Sequence, residues 1–382
     1  MSLHVICLMA NNSSVPYFNW FAEAARNRSD VRFTFIALHK ERPGMFADME
    51  ERGSRCIWVP FDDSRRKTSM LRAIVSLRRV FKNEKPDVVH SHLFDDSVPA
   101  LIAARLAGVP VRVITKQDTA YHWFYAPKAV KYDRINNRNA THIVAVSEEC
   151  KKFVLENEKA DPLKVTMIHH GIPLEKLSAS TDERKQELIR RFSLEGKFVI
   201  GTVARLIPWK GYKTIVETAA IIVQEIPEAH FLFSGEGDQK EELLRMIRER
   251  KLEKHITFTG WVDRADIPSL YAVMDVYLHA AAFEPFGFVI AEAMINGTPV
   301  VSTVTGSAAD AITSGENGFL SASQSAEGLA EGIRFMKQHD RKAIGLRGQE
   351  TARRMFPFEK MFESYVELYR EACEINKMRH GE

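Results

Sequence analysis

The chain has few cysteines and no long apolar run, and both shortages limit what it can be. Its 382 residues include four cysteines, far apart and without a CxxC pair, so we expect neither a disulfide framework nor a cysteine metal site. No apolar stretch reaches the roughly 18 residues of a membrane-spanning helix. The amino terminus has no basic segment before its apolar residues, so we expect no signal peptide and a cytoplasmic protein.

An excess of charge of one sign is also missing. The chain carries 53 Lys and Arg against 50 Asp and Glu, a net charge of +3, so nucleic acid is not expected as the main partner. The balance is uneven, however: residues 1–190 hold 30 basic and 23 acidic residues, and the remainder holds 23 and 27. Hydrophobic content of 45% and this length suit two globular domains that meet different ligands.

Short β-rich apolar runs alternate with segments of helical spacing along the whole chain. The runs are His4–Met9, Arg32–Leu38, Cys56–Pro60, Asp87–Ser91, Arg112–Thr115, His142–Val146, Val165–His169, Phe198–Ala204, His230–Ser234, Ile256–Gly260, Val276–Ala280 and Pro299–Thr303. Continuous apolar strands separated by helices indicate parallel sheets covered on both faces. The sequence therefore predicts an α/β protein with two doubly wound Rossmann-like domains facing a central cleft.

Composition places the domain boundaries. Residues 1–176 form the first predicted domain, the polar stretch 177–195 is the predicted linker with the beginning of the next domain, and 196–357 form the second. Phe358 begins a segment with aromatic and aliphatic residues at helical spacing. We expect this terminal helix, residues 358–382, to pack back on the first domain.

Two segments of the second half carry charged residues where strands end. A strand ends near Ala280, the following loop contains Glu284, and Gly287 begins a helix that bears Glu292. The first amides of such a helix form a natural anion site. Arg205 and Lys210 follow an earlier strand, and two cations at a strand's carboxyl end suit a diphosphate.

In this order and spacing, the segments resemble the donor-binding domain of retaining glycosyltransferases of family 4, which have two Rossmann-like domains in the GT-B arrangement. Further matching pieces are Ser234–Gly237, Thr259–Val262, Gly297–Val301 and Gly315–Phe319, and looser ones are Pro86–His92, Ala145–Ser147 and Ile168–Ile172. The resemblance covers roughly residues 86–319.

The resemblance implies a metal-independent retaining glycosyltransferase, either a hexosyltransferase or an N-acetylhexosaminyltransferase. Its donor would be a nucleotide-sugar, expected to be UDP-linked, which is a substrate, so no cofactor is expected. The acceptor would be a saccharide or lipid-linked saccharide in the synthesis of a surface polysaccharide such as lipopolysaccharide.

Roles for individual residues follow from the same resemblance. Arg205 and Lys210 would neutralise the diphosphate, and Glu284 would lie against the donor sugar, so these three are the expected catalytic residues. Glu292 would accept hydrogen bonds from the ribose hydroxyls. The other expected donor-binding residues are Phe286, Gly287, Phe288, Val289, Gly235 and Val262.

The first domain departs from the family. Where many relatives have a glycine pair after the first strand, this chain has Asn11 and Asn12, whose side chains would make any contact there. Where relatives often carry a histidine that contacts the donor sugar, it has Gln117, and His122 is an open alternative. His92 is expected on the acceptor side. His90 and His92 share a strand face without a third ligand at metal-binding spacing, so no metal is expected.

Residues 65–85 contain eight Lys or Arg and one acid, Glu84. One interpretation is a helix that covers the sheet with a solvated basic face. The other is peripheral contact with an anionic membrane that carries a lipid-linked acceptor.

Other functions on this fold stay open. A nucleotide-sugar epimerase would need titratable residues facing the sugar, and a phosphorylase would need a pyridoxal-binding lysine, and neither is located. A glycosidase is disfavoured because Glu284 and Glu292 are not spaced as a facing acid and base. A catalytically silent sugar-binding or scaffold protein is the alternative from another class, and Gln117 and the altered first loop leave it open.

Overall fold

The computed structural model describes residues 2–10, 16–26, 28–117, 120–177 and 180–380. The chain divides into two compact units. Unit 1 contains residues 1–171 and 359–382, and unit 2 contains residues 172–358. The segment 177–195 contains a helix of unit 2, α8 (Asp182–Arg191), whose Leu188 is buried.

Unit 1 is built on a parallel sheet of seven strands in the order β3-β2-β1-β4-β5-β6-β7. Its strands are β1 (Leu3–Ala10), β2 (Val31–His39), β3 (Arg55–Pro60), β4 (Val88–Ser91), β5 (Val111–Lys116), β6 (His142–Ala145) and β7 (Val165–Met167). Each corresponds to one of the apolar runs, so the doubly wound sheet predicted for this half is confirmed.

The helices of unit 1 cover both faces of the sheet. They are α1 (Pro16–Ala25), α2 (Met45–Glu51), α3 (Arg66–Glu84), α4 (Phe94–Ala107), α5 (Tyr121–Tyr125), α6 (Val130–Asn139), α7 (Glu148–Glu156) and the carboxyl-terminal α16 (Phe358–His380). Helices α3 and α4 share one core cluster with residues of the sheet such as Ile6, Leu8 and Val89.

The other face of the same sheet receives the terminal helix, as the sequence predicted. Side chains alternate between the faces of a strand, so His90 lies opposite Val89. The Tyr369 hydroxyl of α16 is 2.6 Å from His90 Nδ1, and the Tyr365 hydroxyl is 2.9 Å from Thr115 Oγ1. Both tyrosines are fully buried, which fixes α16 on unit 1.

Unit 2 has a parallel sheet of six strands in the order β10-β9-β8-β11-β12-β13. The strands are β8 (Phe198–Val203), β9 (Ala229–Ser234), β10 (Ile256–Gly260), β11 (Val276–His279), β12 (Val300–Thr303) and β13 (Phe319–Ser321). Five were predicted, and β13 was missed.

Helices also cover both faces of the second sheet. They are α8 (Asp182–Arg191), α9 (Tyr212–Glu225), α10 (Lys240–Glu249), α11 (Ile267–Ala272), α12 (Phe288–Ile295), α13 (Gly306–Ala311), α14 (Ala326–Gln338) and α15 (Arg341–Met355). A 3₁₀ turn, Pro208–Lys210, precedes α9. Among the described residues of both units, no helix combines the length and the apolar character needed to cross a bilayer.

Candidate active site

The site in unit 2 lies where the strand order reverses. Strands β8 and β11 are neighbours, but the chain continues from β8 toward β9 and from β11 toward β12, on opposite sides. The loops that follow these two strands therefore diverge and leave a crevice at the carboxyl edge of the sheet. Ligands of open parallel sheets bind at such a position.

Glycines bring the loops around this crevice into backbone contact. Gly211 has a φ of +75°, and a Cβ atom there would lie 2.0 Å from the carbonyl oxygen of Ala280. Gly306 has a φ of +49°, and its Cβ would lie 2.5 Å from the Phe286 oxygen. A larger residue at either position would separate the loops, so both glycines are required by close approach as well as by backbone conformation.

Main-chain hydrogen bonds hold the same loops together. The Ala282 amide donates to the Trp209 oxygen at 3.0 Å, which joins the loops after β11 and β8. The Ser307 amide donates to the Phe286 oxygen at 2.7 Å, which joins the loops after β12 and β11. The crevice therefore has a preorganised wall.

Lys210 and Glu284 form an ion pair across the crevice. The Lys210 ammonium donates to Glu284 Oε2, and the side chains are only 16% and 15% exposed. One residue follows β8 and the other follows β11, so the pair spans the point where the strand order reverses. The structure brings together these two of the three predicted catalytic residues.

Arg205 differs from Lys210. Its side chain is exposed, and its guanidinium has no hydrogen bond or ion pair with any part of the chain that the structure describes. The sequence analysis treated both cations alike. In the structure only Lys210 is held by a neighbour, whereas nothing in the described protein fixes Arg205.

The helix predicted to begin after Gly287 is present. Gly287, with a φ of +81°, precedes α12, and a Cβ there would lie 2.9 Å from the Ile290 side chain. Phe286 is buried, while Phe288 remains 36% exposed at the first position of the helix, followed by Val289. The first amides of a helix lie outside its internal ladder and attract negative charge.

Glu292 lies on α12 and is held by a tyrosine. The Tyr271 hydroxyl donates to Glu292 Oε2 at 3.2 Å and is 3.1 Å from the Val289 oxygen. Desolvation raises the pKa of Glu292 from 4.5 to about 7, although the Arg264 charge and the Tyr271 hydrogen bond act in the opposite direction. The carboxyl group therefore changes its charge near neutral pH.

The remaining predicted donor-binding residues line the same edge of the sheet. Gly235 follows β9, and a Cβ there would lie 2.1 Å from the Ala204 oxygen, so the loops after β8 and β9 touch as well. The Gly235 amide donates to the Gly260 oxygen at 2.9 Å. Val262 follows β10 and is half-buried beside Trp261, which is 74% exposed.

Sequence reasoning gave no role to His279, the last residue of β11. Its ring is buried, Nδ1 is 3.3 Å from the Tyr277 hydroxyl, and Nε2 has no partner in the described chain. Burial, with the Lys210 charge nearby, lowers the pKa of His279 to about 3, so the ring is neutral. The available signal was a polar residue at the end of an apolar strand.

The predicted residues of unit 1 fall into three groups. Gln117 and His92 are brought together, with Gln117 Nε2 3.2 Å from His92 Nδ1. His122 is bound elsewhere: its Nδ1 is 2.9 Å from Asp133 Oδ2, and its ring meets Phe94 edge-on. Asn11 and Asn12 lie outside the described residues.

His92 is a neutral, buried group. Burial, with a further contribution from His170, lowers the pKa of His92 to about 3. Its Nε2 atom has no hydrogen-bond partner in the part of the chain that the structure describes. The carboxyl edge of this sheet thus presents an uncharged imidazole beside an amide.

The structure adds a third group to the two histidines, which the sequence spacing had not revealed. Potential ligand atoms of Cys7, His90 and His92 lie within 4.8 Å of one another, all buried. However, His90 already bonds Tyr369 and Thr115 through both ring nitrogens. Both ring nitrogens of His90 are therefore already used by protein groups. Burial also raises the pKa of the Cys7 thiol far above its usual value.

In a comparison with known proteins, both halves of the chain match family models of glycosyltransferases. Residues 21–176 match the family model described as Glycosyltransferase Family 4, and residues 184–351 match the model described as Glycosyl transferases group 1. The two matches follow one another and together span most of the chain.

Curated relatives are similar over shorter stretches. A UDP-Gal:alpha-D-GlcNAc-diphosphoundecaprenol alpha-1,3-galactosyltransferase of Escherichia coli is 29% identical over 62% of this chain. The capsular polysaccharide biosynthesis glycosyltransferase CapM of Staphylococcus aureus is 26% identical over 79% of this chain and 81% of its own length. The chain spans about three fifths of the length of the first relatives, 62% of the galactosyltransferase and 58% of a mannosylfructose-phosphate synthase from Agrobacterium fabrum.

Solved structures share the fold over almost the whole chain. Alr3699/HepE of Anabaena, solved in complex with UDP and glucose, superposes with a TM-score of 0.80 at 21% identity, covering 97% of this chain and all of that one. A sucrose-phosphate synthase of Thermosynechococcus elongatus gives 0.77 at 17% identity, covering 97% of this chain and 98% of its own.

Proposed function

Because this chain belongs to the family 4 glycosyltransferases, we propose that it transfers a sugar from a nucleotide-sugar to a saccharide or lipid-linked saccharide acceptor. We take UDP as the nucleotide and retention of the anomeric configuration as the outcome. The observation that carries the proposal is the Lys210–Glu284 pair, which places a cation and a carboxylate side by side at the reversal of the strand order.

Each charged group of unit 2 suits one part of a nucleotide-sugar. Lys210, with Arg205 free to swing toward it, would neutralise the diphosphate, whose charge increases as the sugar leaves. The amide end of α12 would bind the same phosphates. Glu292 would accept hydrogen bonds from ribose hydroxyls. These cations would do the work that a divalent metal does elsewhere, so we propose that the reaction needs no metal.

Glu284 would act on the sugar. When the diphosphate draws Lys210 away, the Glu284 carboxylate is left to orient the sugar hydroxyls and to stabilise positive charge at the anomeric carbon. The acceptor hydroxyl would attack from the face that the phosphate leaves, and the departing phosphate oxygen would take its proton. This path retains the anomeric configuration.

The names of relatives support the choice of substrates. One transfers galactose from its UDP form to a diphosphoundecaprenol-linked sugar, and others are described for capsular polysaccharide and lipopolysaccharide core synthesis. We therefore propose a surface-glycan role for this protein. We place it in the cytoplasm, with peripheral contact between the basic helix at 65–85 and an anionic membrane.

A panel of nucleotides and nucleotide-sugars tests the donor. A ligand that binds only the folded protein raises its melting temperature as its concentration exceeds the dissociation constant. We expect UDP and one UDP-sugar to give the largest shifts, with no requirement for added divalent metal. Larger shifts with a guanine or adenine nucleotide would contradict the choice of UDP.

Transfer itself is tested with the donor found in this way. We expect transfer of the sugar to a saccharide acceptor. An α-linked donor should give an α-linked product. Nucleotide-sugar binding without transfer to any acceptor, or conversion of the donor into an epimer, would favour the alternative functions.

A further inference from the structure

Three neighbouring helices cover one face of the unit 1 sheet. Helices α3 and α4 share a core cluster, and α6 packs beside α4. The side chain of Arg78 on α3 donates to the Leu106 oxygen of α4 at 3.3 Å, and Arg105 of α4 donates to Asn139 of α6 at 3.2 Å. Their outward sides therefore form one continuous surface, which we name the basic layer.

The basic layer combines exposed cations with exposed aliphatic side chains. Its exposed cations are Lys67, Arg72, Arg78, Arg79, Lys82, Arg105, Lys131, Arg134 and Arg138. Leu71, Val75, Leu106 and Ile135 stand among them, exposed by 67%, 52%, 57% and 38%. Leu71 and Val75 are four residues apart and therefore share the outward side of α3.

Negative charge on these three helices is either paired or buried. Glu84 pairs with Arg55, and Asp95 pairs with Arg66. Asp96 and Asp133 are buried. No other acidic residue occurs in α3, α4 or α6. The exposed surface of the layer is therefore positive throughout.

The opposite side of the same unit has a different character. Helix α16, which contacts His90 on the other face of the sheet, exposes five glutamates: Glu359, Glu363, Glu367, Glu371 and Glu374. Among its described side chains, three exposed cations accompany them: Lys360, Arg370 and Lys377. Unit 1 is thus electrically polarised across its sheet, with positive charge concentrated on one broad side.

We propose that the whole basic layer, from α3 across α4 to α6, is the face with which this protein lies on an anionic lipid bilayer. The charge of the layer complements anionic headgroups. The exposed aliphatic residues select a bilayer over a polyanion, because they gain from entering the headgroup region and gain nothing from nucleic acid. The inference rests on the proposed function only in that a bilayer would present a lipid-linked acceptor.

Co-sedimentation with vesicles tests the surface directly. The full chain should pellet with vesicles of equimolar phosphatidylglycerol and phosphatidylcholine, should stay in solution with pure phosphatidylcholine, and should be released by salt. Each basic residue at such a surface strengthens partitioning by roughly fivefold. A protein that stays in solution with both vesicles would overturn the proposal.

Charge reversals on separate helices test whether the layer acts as one surface. Arg79→Glu with Lys82→Glu on α3, and Arg134→Glu with Arg138→Glu on α6, should each weaken partitioning by at least about 25-fold. The matched control is Arg245→Glu with Arg248→Glu on α10, which makes the same charge change at exposed positions of unit 2. Equal loss in the control, or an α6 variant that binds like the wild type, would contradict the proposal.

Aliphatic variants distinguish a bilayer from a polyanion. Leu71→Ser with Ile135→Ser keeps every charge and should weaken vesicle binding several-fold while leaving retention on a DNA duplex unchanged. Unchanged vesicle binding would show a surface for polyanions instead.

Vesicle binding needs neither donor nor acceptor. Transfer to a soluble acceptor without vesicle binding would overturn this inference alone, and vesicle binding without transfer would overturn the proposed function alone.

Discussion

The carboxyl edges of the two sheets differ in charge. The edge in unit 2 is charged: the crevice where the strand order reverses is flanked by Lys210, Glu284 and Glu292. Arg205, in the loop after β8, is exposed. In unit 1 the corresponding region presents His92, whose pKa is lowered to about 3, beside the amide of Gln117. One edge suits a charged diphosphate, and the other suits a ligand that offers hydroxyl groups. The difference teaches that two sheets of similar topology can present an ionic carboxyl edge in one unit and an uncharged imidazole beside an amide in the other.

Replacing Lys210, the cation that pairs with Glu284 in unit 2, should have the largest effect on the rate of transfer. Lys210→Met should lower the rate of transfer by roughly a hundredfold to a thousandfold, because the charge on the leaving diphosphate loses its partner. Lys213→Met is the matched control, since Lys213 is an exposed lysine three residues later that pairs with Glu242. Steady-state kinetics of both variants measure the difference, and equal losses would remove the special role of Lys210.

Replacing the carboxylate should affect turnover more than binding. Glu284→Gln should reduce kcat roughly a hundredfold, because the group acts on charge that develops at the sugar. UDP affinity should change by no more than about threefold. Calorimetric titration with UDP, beside the kinetics, separates the two effects. A variant with full turnover would contradict the role given to Glu284.

Glu292 should make the stability of the protein depend on pH. The pKa of this group is raised from 4.5 in the unfolded chain to about 7 in the folded protein. Ionisation of the carboxyl group therefore lowers the free energy of unfolding. This loss of stability is absent below pH 4.5, where the group is protonated in both states, and is complete above pH 7. Glu292→Gln should therefore raise the melting temperature at pH 8 and have little effect at pH 4.5. Thermal melts at both values check this, and an equal shift at both would contradict the cause.

A substitution at the uncharged edge of the unit 1 sheet should have the smallest effect. It should alter the use of the acceptor rather than of the donor. Gln117→Leu removes the amide that contacts His92 while keeping its size, and should raise the acceptor KM a few-fold without changing UDP affinity. A loss of UDP affinity with an unchanged acceptor KM would contradict the assignment of Gln117 to the acceptor.

Most of the fold followed from the sequence because buried parallel strands are apolar runs that local patterns record. Strand β13, Phe319–Ser321, escaped because three residues are too few to show a pattern and pairing with β12 decides their structure. The terminal helix was predictable because its aromatic residues recur at helical spacing. Helix α5, only five residues long, had no such repeat.

The sequence proposed residues for the candidate site but not the contacts between them. The resemblance to family 4 picked out Lys210 and Glu284, yet they are 74 positions apart, so only the fold reveals that they pair. The hydrogen bond from Tyr271 to Glu292 and the neutral state of His279 likewise depend on packing. The same holds for the proximity of Cys7 to His90 of β4 and to His92, which follows that strand.

The central claim is that Lys210 captures the diphosphate of the donor, and equilibrium binding of UDP and uridine measures this directly. The wild type should bind UDP much more tightly than uridine, and Lys210→Met should lose most of that preference while its affinity for uridine stays the same. A variant that keeps the full preference for UDP would contradict the account.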